Sequence, residues 1–207
     1  MVEIEFFFEK LKDTLSFDLP GAEAQYLMAP QHRYKGNTPS DTRNAAVLLL
    51  FYKKNEKIFI PFIKRTADKG PHSKQVSFPG GMAETNDISY KHTALREFIE
   101  ETGYNITEDS IIGELTELYI PVSNTLVHPF IGITYQTPVW APDINEVERI
   151  IEMPLNMLLN KQFVHQEEWI INGVNLLVPF YNFDNEKIWG ATAMILSEMA
   201  EILKKLT

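Results

Sequence analysis

The chain has 207 residues, 44% of them hydrophobic and 23% charged, a globular mix with length enough for one domain and a sizeable core. With 28 acidic and 19 basic residues the net charge is −9, which excludes a general nucleic-acid binder, because phosphate backbones need a positive field. There is no cysteine, so disulfides, thiolate metal sites and thiol nucleophiles are excluded.

Residues 1–14 read as an amphipathic helix; Glu3, Glu5 and Glu9 among Phe6, Phe7 and Phe8 do not make a secretory signal. Residues 17–43, with Pro20, Gly21, Pro30, Gly36 and Pro39, read as an extended lead-in with little structure of its own. The run Ala45 to Tyr52 is apolar throughout, the pattern of a buried strand, and Ile58 to Ile63 returns after a turn at 53–56. Pro61 implies an edge or a bulge in that second strand. Residues 64–74 form a loop, and a short strand at 75–78 is stopped by Pro79-Gly80-Gly81, read as a turn. A helix covers about 90–102, ended by Gly103 as C-terminal cap. Strands follow at 111–120, 128–135 and 147–152, with a loop from Pro138 to Asn145 and a short helix at 155–159. Asn172-Gly173 reads as a hairpin turn between strands at 163–171 and 173–180, and 190–206 as a closing amphipathic helix. Paired strands interrupted by single helices imply an α/β (α+β) fold, a mixed sheet with helices packed on it. No apolar run approaches the roughly 20 residues of a membrane span, so a cytoplasmic protein without a membrane partner is expected.

The chemistry concentrates between Gly80 and Tyr104. At about 100° per residue, Glu97, Glu100 and Glu101 share an arc of about 100°, while Leu95, Phe98, Ile99 and Thr102 lie opposite. Such a face is either solvated or the oxygen-rich surface that a hard divalent cation takes. The preceding glycines allow a backbone carbonyl to approach a metal closely.

These residues resemble the Nudix box, which runs Gly, five residues, Glu, seven residues, Arg-Glu, an aliphatic, any residue, Glu-Glu, any residue, Gly, an aliphatic. Here Gly81 is followed by five residues and Asp87, and eight residues separate Asp87 from Arg96-Glu97-Phe98-Ile99-Glu100-Glu101-Thr102-Gly103-Tyr104. The match is strong in its C-terminal half and shifted by one residue in its loop. With Phe78-Pro79-Gly80-Gly81 and Arg65 upstream, the pattern is similar to the coenzyme A pyrophosphatase branch. That branch's second upstream Arg and Gly are replaced by Gly70 and Lys74. His72 to Phe78, Leu126 to Phe130 and Ile188 to Ala193 also look similar to bacterial members, so the likeness spans about residues 45–200.

The resemblance implies a Nudix-like mixed sheet sandwiched between helices over 44–207, with residues 1–43 an N-terminal helix and lead-in. It implies hydrolysis of a pyrophosphate bond with Mg²⁺ or Mn²⁺ at Gly81, Glu97, Glu100 and Glu101. Arg96 would orient a metal-binding Glu, and the general base would be Glu97 or Glu146, with Glu148 a weaker choice than Glu146. Asp87 either supports the loop or serves as a carboxylate at the helix N-terminus. Residues 52–74 hold seven basic and two acidic residues, a local +5 against −5 over 80–110, so phosphate contacts are expected from Arg65, His72 and Lys74. Lys53, Lys54 and Lys57 read as a solvated hairpin tip, and His128 as structural. The favoured substrate is coenzyme A or acyl-CoA, giving 3′,5′-ADP and a 4′-phosphopantetheine compound. The alternatives are ADP-ribose or a dinucleotide, or a non-catalytic nucleotide sensor. Residues 1–43 either pack on the core, cover the site or form a homodimer.

Overall fold

The computed structural model describes residues 2–33, 36–67, 74–171 and 173–206. In chain order the elements are α1 (Val2–Leu15), α2 (Gly21–Tyr26), β1 (Arg43–Lys54), β2 (Lys57–Arg65), β3 (Val76–Ser77), β4 (Gly80–Met82), α3 (Tyr90–Thr102), β5 (Ile111–Glu114), β6 (Leu118–Ile120), β7 (Thr125–Thr134), β8 (Val147–Pro154), α4 (Leu155–Leu158), β9 (Val164–Ile171), β10 (Val174–Phe183), β11 (Glu186–Trp189) and α5 (Gly190–Lys204). The main sheet runs β3-β2-β1-β7-β5, with β4 beside β1, β8 beside β2 and β6 beside β7; β11-β10-β9 make a smaller antiparallel sheet.

β1 is apolar from Ala45 to Tyr52, the part that is covered on both faces. Ala46, Leu48 and Leu50 meet Ala94 and Phe98 of α3 on one side. Ala45, Leu49 and Phe51 face the larger core with α1 and α5 on the other. β1 pairs parallel with β7 from Arg43–Thr125 to Tyr52–Thr134, and antiparallel with β2 and β4, which makes the sheet mixed. Pro61 fits because it lies past the last β1–β2 pair, Tyr52–Phe59, where β2 is paired with β8 and β3 has not yet begun. Further along, the register of β2 against β8 slips between Lys64 and Arg65, so that Arg65 faces Val147 and Glu148 has no opposite residue.

Several sequence expectations are revised. The lead-in carries α2, whose Gln25 and Gly21 bond the buried Glu198 of α5 at 2.8 and 3.1 Å, with Thr116 completing the set. A buried carboxylate with four donors fixes the helix in place. The closing amphipathic helix α5 is more enclosed than expected: residues 192–200 are buried on every side, because α1 and α2 cover its outer face. Gly80-Gly81 do not turn but form β4 against Ala46 and Val47. The segment expected as one strand at 111–120 is split into β5 and β6. β11 was not anticipated, although Asp184 and Asn185, at φ 54° and 61°, make the turn that returns it to β10. Of the turn expected at Asn172-Gly173, Asn172 lies outside the described residues. Among the described residues, no helix is long and apolar enough to cross a membrane.

Candidate active site

α3 starts at Ser89, whose hydroxyl accepts from the His92 N–H at 3.1 Å, and ends at Gly103 with φ 68°. Between these caps the apolar stripe packs on β1 and turns the acidic stripe toward β4. The three glutamates then meet different surroundings. Glu100 is exposed, with 58% of its side chain in solvent. Glu97 is half-buried against Gly81, where a Cβ would lie 2.4 Å from the Glu97 carboxyl carbon. Glu101 is only 2% exposed. One oxygen of Glu101 accepts from the Gly80 N–H at 2.8 Å and the other faces Arg65 at 3.3 Å.

Burial pushes the Glu101 carboxyl up to about 8, although the Gly80 N–H and Arg65 oppose the shift and Glu97 and Glu146 add to it. Burial also raises Glu97, moderated by Arg96 and reinforced by Glu100 and Glu146. Glu146, which precedes β8, adds to the rise of both carboxyls.

Arg96 joins the acidic face to the loop before α3. Its Nε and Nη2 hold the two oxygens of Asp87 at 3.1 and 3.0 Å, and Nη1 reaches Glu97 at 2.9 Å and Glu100 at 3.0 Å. Nη2 also donates to the Met82 carbonyl at 3.2 Å. Asp87, held well below the usual carboxylate range by Arg96, also takes the Glu84 N–H and the Thr93 hydroxyl. It supports the loop; the cap is Ser89.

The basic stretch is less open to an anion than its charge suggests. Arg65 lies on Glu101, Lys64 is paired with Glu186, Lys53 with Glu56 and Lys54 with Glu152. The Lys53 and Lys54 pairs replace the solvated tip expected there. Lys74 is exposed, at φ 57°. His72 lies outside the described residues. His128 is held by Asn44 and Glu117 and stacks on Tyr90 at 3.9 Å, a structural setting.

Among the described residues, no three carboxylate or imidazole groups are already drawn together as a cation cage. Glu100 is turned to Arg96 and Glu101 to Gly80. The donor set nevertheless fits a hard divalent cation. It is all oxygen, and Glu97 lies against the Gly81 backbone and Glu101 against Gly80, two desolvated carboxyls whose charged forms a cation would favour. Sequence reasoning missed Gly80 as a donor, since a backbone N–H leaves no signal in residue identity.

Residues 41–171 match the family model of the NUDIX domain, a span that runs from the residues before β1 through β9 and includes the whole site. The chain belongs to the Nudix hydrolase family. An uncharacterized Nudix hydrolase NudL from Photorhabdus laumondii is 32% identical over 161 residues, covering 78% of this chain and 85% of the relative. The Nudix hydrolase 22, chloroplastic, of Arabidopsis thaliana is 30% identical over 168 residues, and the chain spans 55% of its length. Among solved structures, a MutT/nudix family protein from Enterococcus faecalis matches with a TM-score of 0.57 at 13% identity, covering 84% of this chain and 66% of that one. The MutT protein from Methanosarcina mazei Go1 matches at 0.53 and 15%, covering 83% and 99%. These two agree with the fold: a large mixed sheet with helices on both faces.

Proposed function

We propose that this Nudix hydrolase cleaves the pyrophosphate bond of a nucleoside diphosphate derivative with Mg²⁺ or Mn²⁺, and that coenzyme A or an acyl-CoA is the substrate. The observation that carries the reading is the convergence of Glu97 and Glu101 on the Gly80-Gly81 backbone, with both carboxyls raised by burial. A bound divalent cation supplies charge neutralisation for the diphosphate and a more acidic water. Glu97, Glu101 and the Gly81 carbonyl are the residues to hold it, with Glu100 joining when it leaves Arg96. Arg96, fixed by Asp87, keeps Glu97 aimed at the site. Glu146 or Glu97 takes the proton of the attacking water, and the raised carboxyl of Glu97 suits that task. Arg65, His72 and Lys74 are the proposed phosphate contacts, Arg65 by turning part of its guanidinium from Glu101 to the substrate.

Coenzyme A is favoured by Arg65 and Phe78-Pro79-Gly80-Gly81. The replacement of the branch's second Arg and Gly by Gly70 and Lys74 favours ADP-ribose or a dinucleotide as the second reading. A substrate panel with Mg²⁺ and Mn²⁺, products identified by mass, decides. We expect 3′,5′-ADP from coenzyme A, abolished by EDTA. Cleavage of ADP-ribose with coenzyme A untouched would overturn the substrate. Tight nucleotide binding without turnover on any diphosphate would make the protein a sensor.

A further inference from the structure

The segment from Pro138 to Glu146 has no regular structure, and Val139 and Ile144 stand 83% and 82% exposed. Such a stretch is ordinarily among the least protected parts of a fold. Here it is fastened at both ends. At the start, the Trp140 ring packs edge-on against Tyr52, Phe98 and Tyr104, with centroids 5.5, 6.4 and 5.8 Å away. Its Nε1 donates to Glu152 at 3.0 Å, and Glu152 also takes the Tyr52 hydroxyl and Lys54. The next residue, Ala141, donates its N–H to the Thr102 carbonyl at the end of α3 at 2.9 Å.

At the far end, the Asp143 carbonyl accepts from the N–H groups of Glu146 and Val147 at 3.1 and 2.8 Å. Thr66, just past β2, then grips two successive carbonyls. Its N–H donates to Glu146 at 3.0 Å and its hydroxyl to Asn145 at 2.9 Å. Its neighbour Arg65 holds Glu101. One end of β2 therefore holds both the helical carboxylate of Glu101 and the backbone that carries Glu146, and the adjacent register slip leaves Glu148 outside the ladder.

We infer that Trp140 and Thr66 are positioning residues, which hold segment 140–146 so that Glu146 is kept beside the acidic face of α3. The inference rests on the reading of Glu146 as part of the hydrolytic site. Trp140→Phe keeps an aromatic ring, smaller than the indole, and removes the N–H. Thr66→Val keeps the shape and removes the hydroxyl, and Thr66→Ser restores it.

Two measurements test the assignment. Amide hydrogen exchange on the metal-free protein should quicken about tenfold over 138–147 in Trp140→Phe and Thr66→Val and stay unchanged over 90–102. On the diphosphate that the wild type cleaves, with Mg²⁺, kcat should fall about tenfold with KM within about twofold, as expected for one lost hydrogen bond that matters in the transition state. Thr66→Ser should behave as wild type. In a Glu146→Gln background the same substitutions should cost less than about twofold, because what they position is gone. Unchanged exchange over 138–147, or equal losses of kcat in both backgrounds, would overturn the inference. A wild type that cleaves no diphosphate defeats the hydrolase reading instead, and exchange alone then decides whether the two residues hold the segment.

Discussion

A carboxyl group that is 2% exposed and raised to about 8 stays largely protonated at neutral pH, and Glu101 is such a group. Its folded value lies above the ordinary 4.5, so the folded state binds more protons than the unfolded chain between pH 4.5 and about 8. Over that window its contribution to stability falls as pH rises. In EDTA, the melting temperature of Glu101→Gln should therefore gain on that of wild type from pH 5 to pH 8 (calorimetry at matched ionic strength), and a constant difference would refute the assignment. Added Mn²⁺ should stabilise wild type more at the upper end, because the cation displaces a proton that is already leaving. Turnover should drop at least about a hundredfold in Glu101→Gln and in Glu100→Gln, since charge stabilisation is at its strongest in a dry site and both variants weaken it. Near-wild-type steady-state rates in both would remove the metal assignment. The identity of these glutamates was legible in the spacing of Arg96 to Gly103. Their unequal burial was not, because helical periodicity gives a direction around the axis and not what stands opposite.

At the scale of elements, α3 is bounded by Ser89, a cap that the structure shows, and by Gly103, the cap that the sequence led one to expect. Gly103 is also where the helix meets the next segment. It combines φ 68° with a site where a Cβ would fall 2.2 Å from the Ala141 carbonyl oxygen. Gly103→Ala should cost about 3 kcal/mol in urea unfolding, from left-handed backbone strain plus displacement of residue 141. A loss below about 1 kcal/mol would show that the contact yields easily. The short elements α2, β4 and β11 escaped the sequence reading for a common reason. Each takes its hydrogen bonds or its burial from partners outside itself: Glu198 for α2, Ala46 and Val47 for β4, β10 for β11. Six residues or fewer carry too little periodicity to announce themselves.

Across the whole molecule, the N-terminal helix is part of one core. Ile4, Phe8 and Leu11 join Phe62, Phe78 and the residues of α5, and Phe8 and Leu11 are fully buried. Phe8→Ala should lower unfolding free energy by about 3–5 kcal/mol, measured by chemical denaturation. An effect under about 1 kcal/mol would mean that α1 is dispensable. The net charge of −9 takes a different meaning in three dimensions. The basic and acidic stretches, +5 and −5 by segment, meet at Arg65 and Glu101, and much of the positive charge is taken up by ion pairs within the protein.

By itself the sequence determined the motif by which the chain resembles its family, the C-terminal end of α3, the all-oxygen character of the site and the burial of β1. Those features follow from covalent order, from helical and strand periods and from side-chain chemistry. Only the tertiary structure decided which carboxylate is buried, that Thr66 grips the carbonyls of Asn145 and Glu146, and that Arg65 rests on Glu101. Each depends on a register slip, a loop anchor or a desolvated pocket, and these arise where strands far apart in the chain are brought into contact.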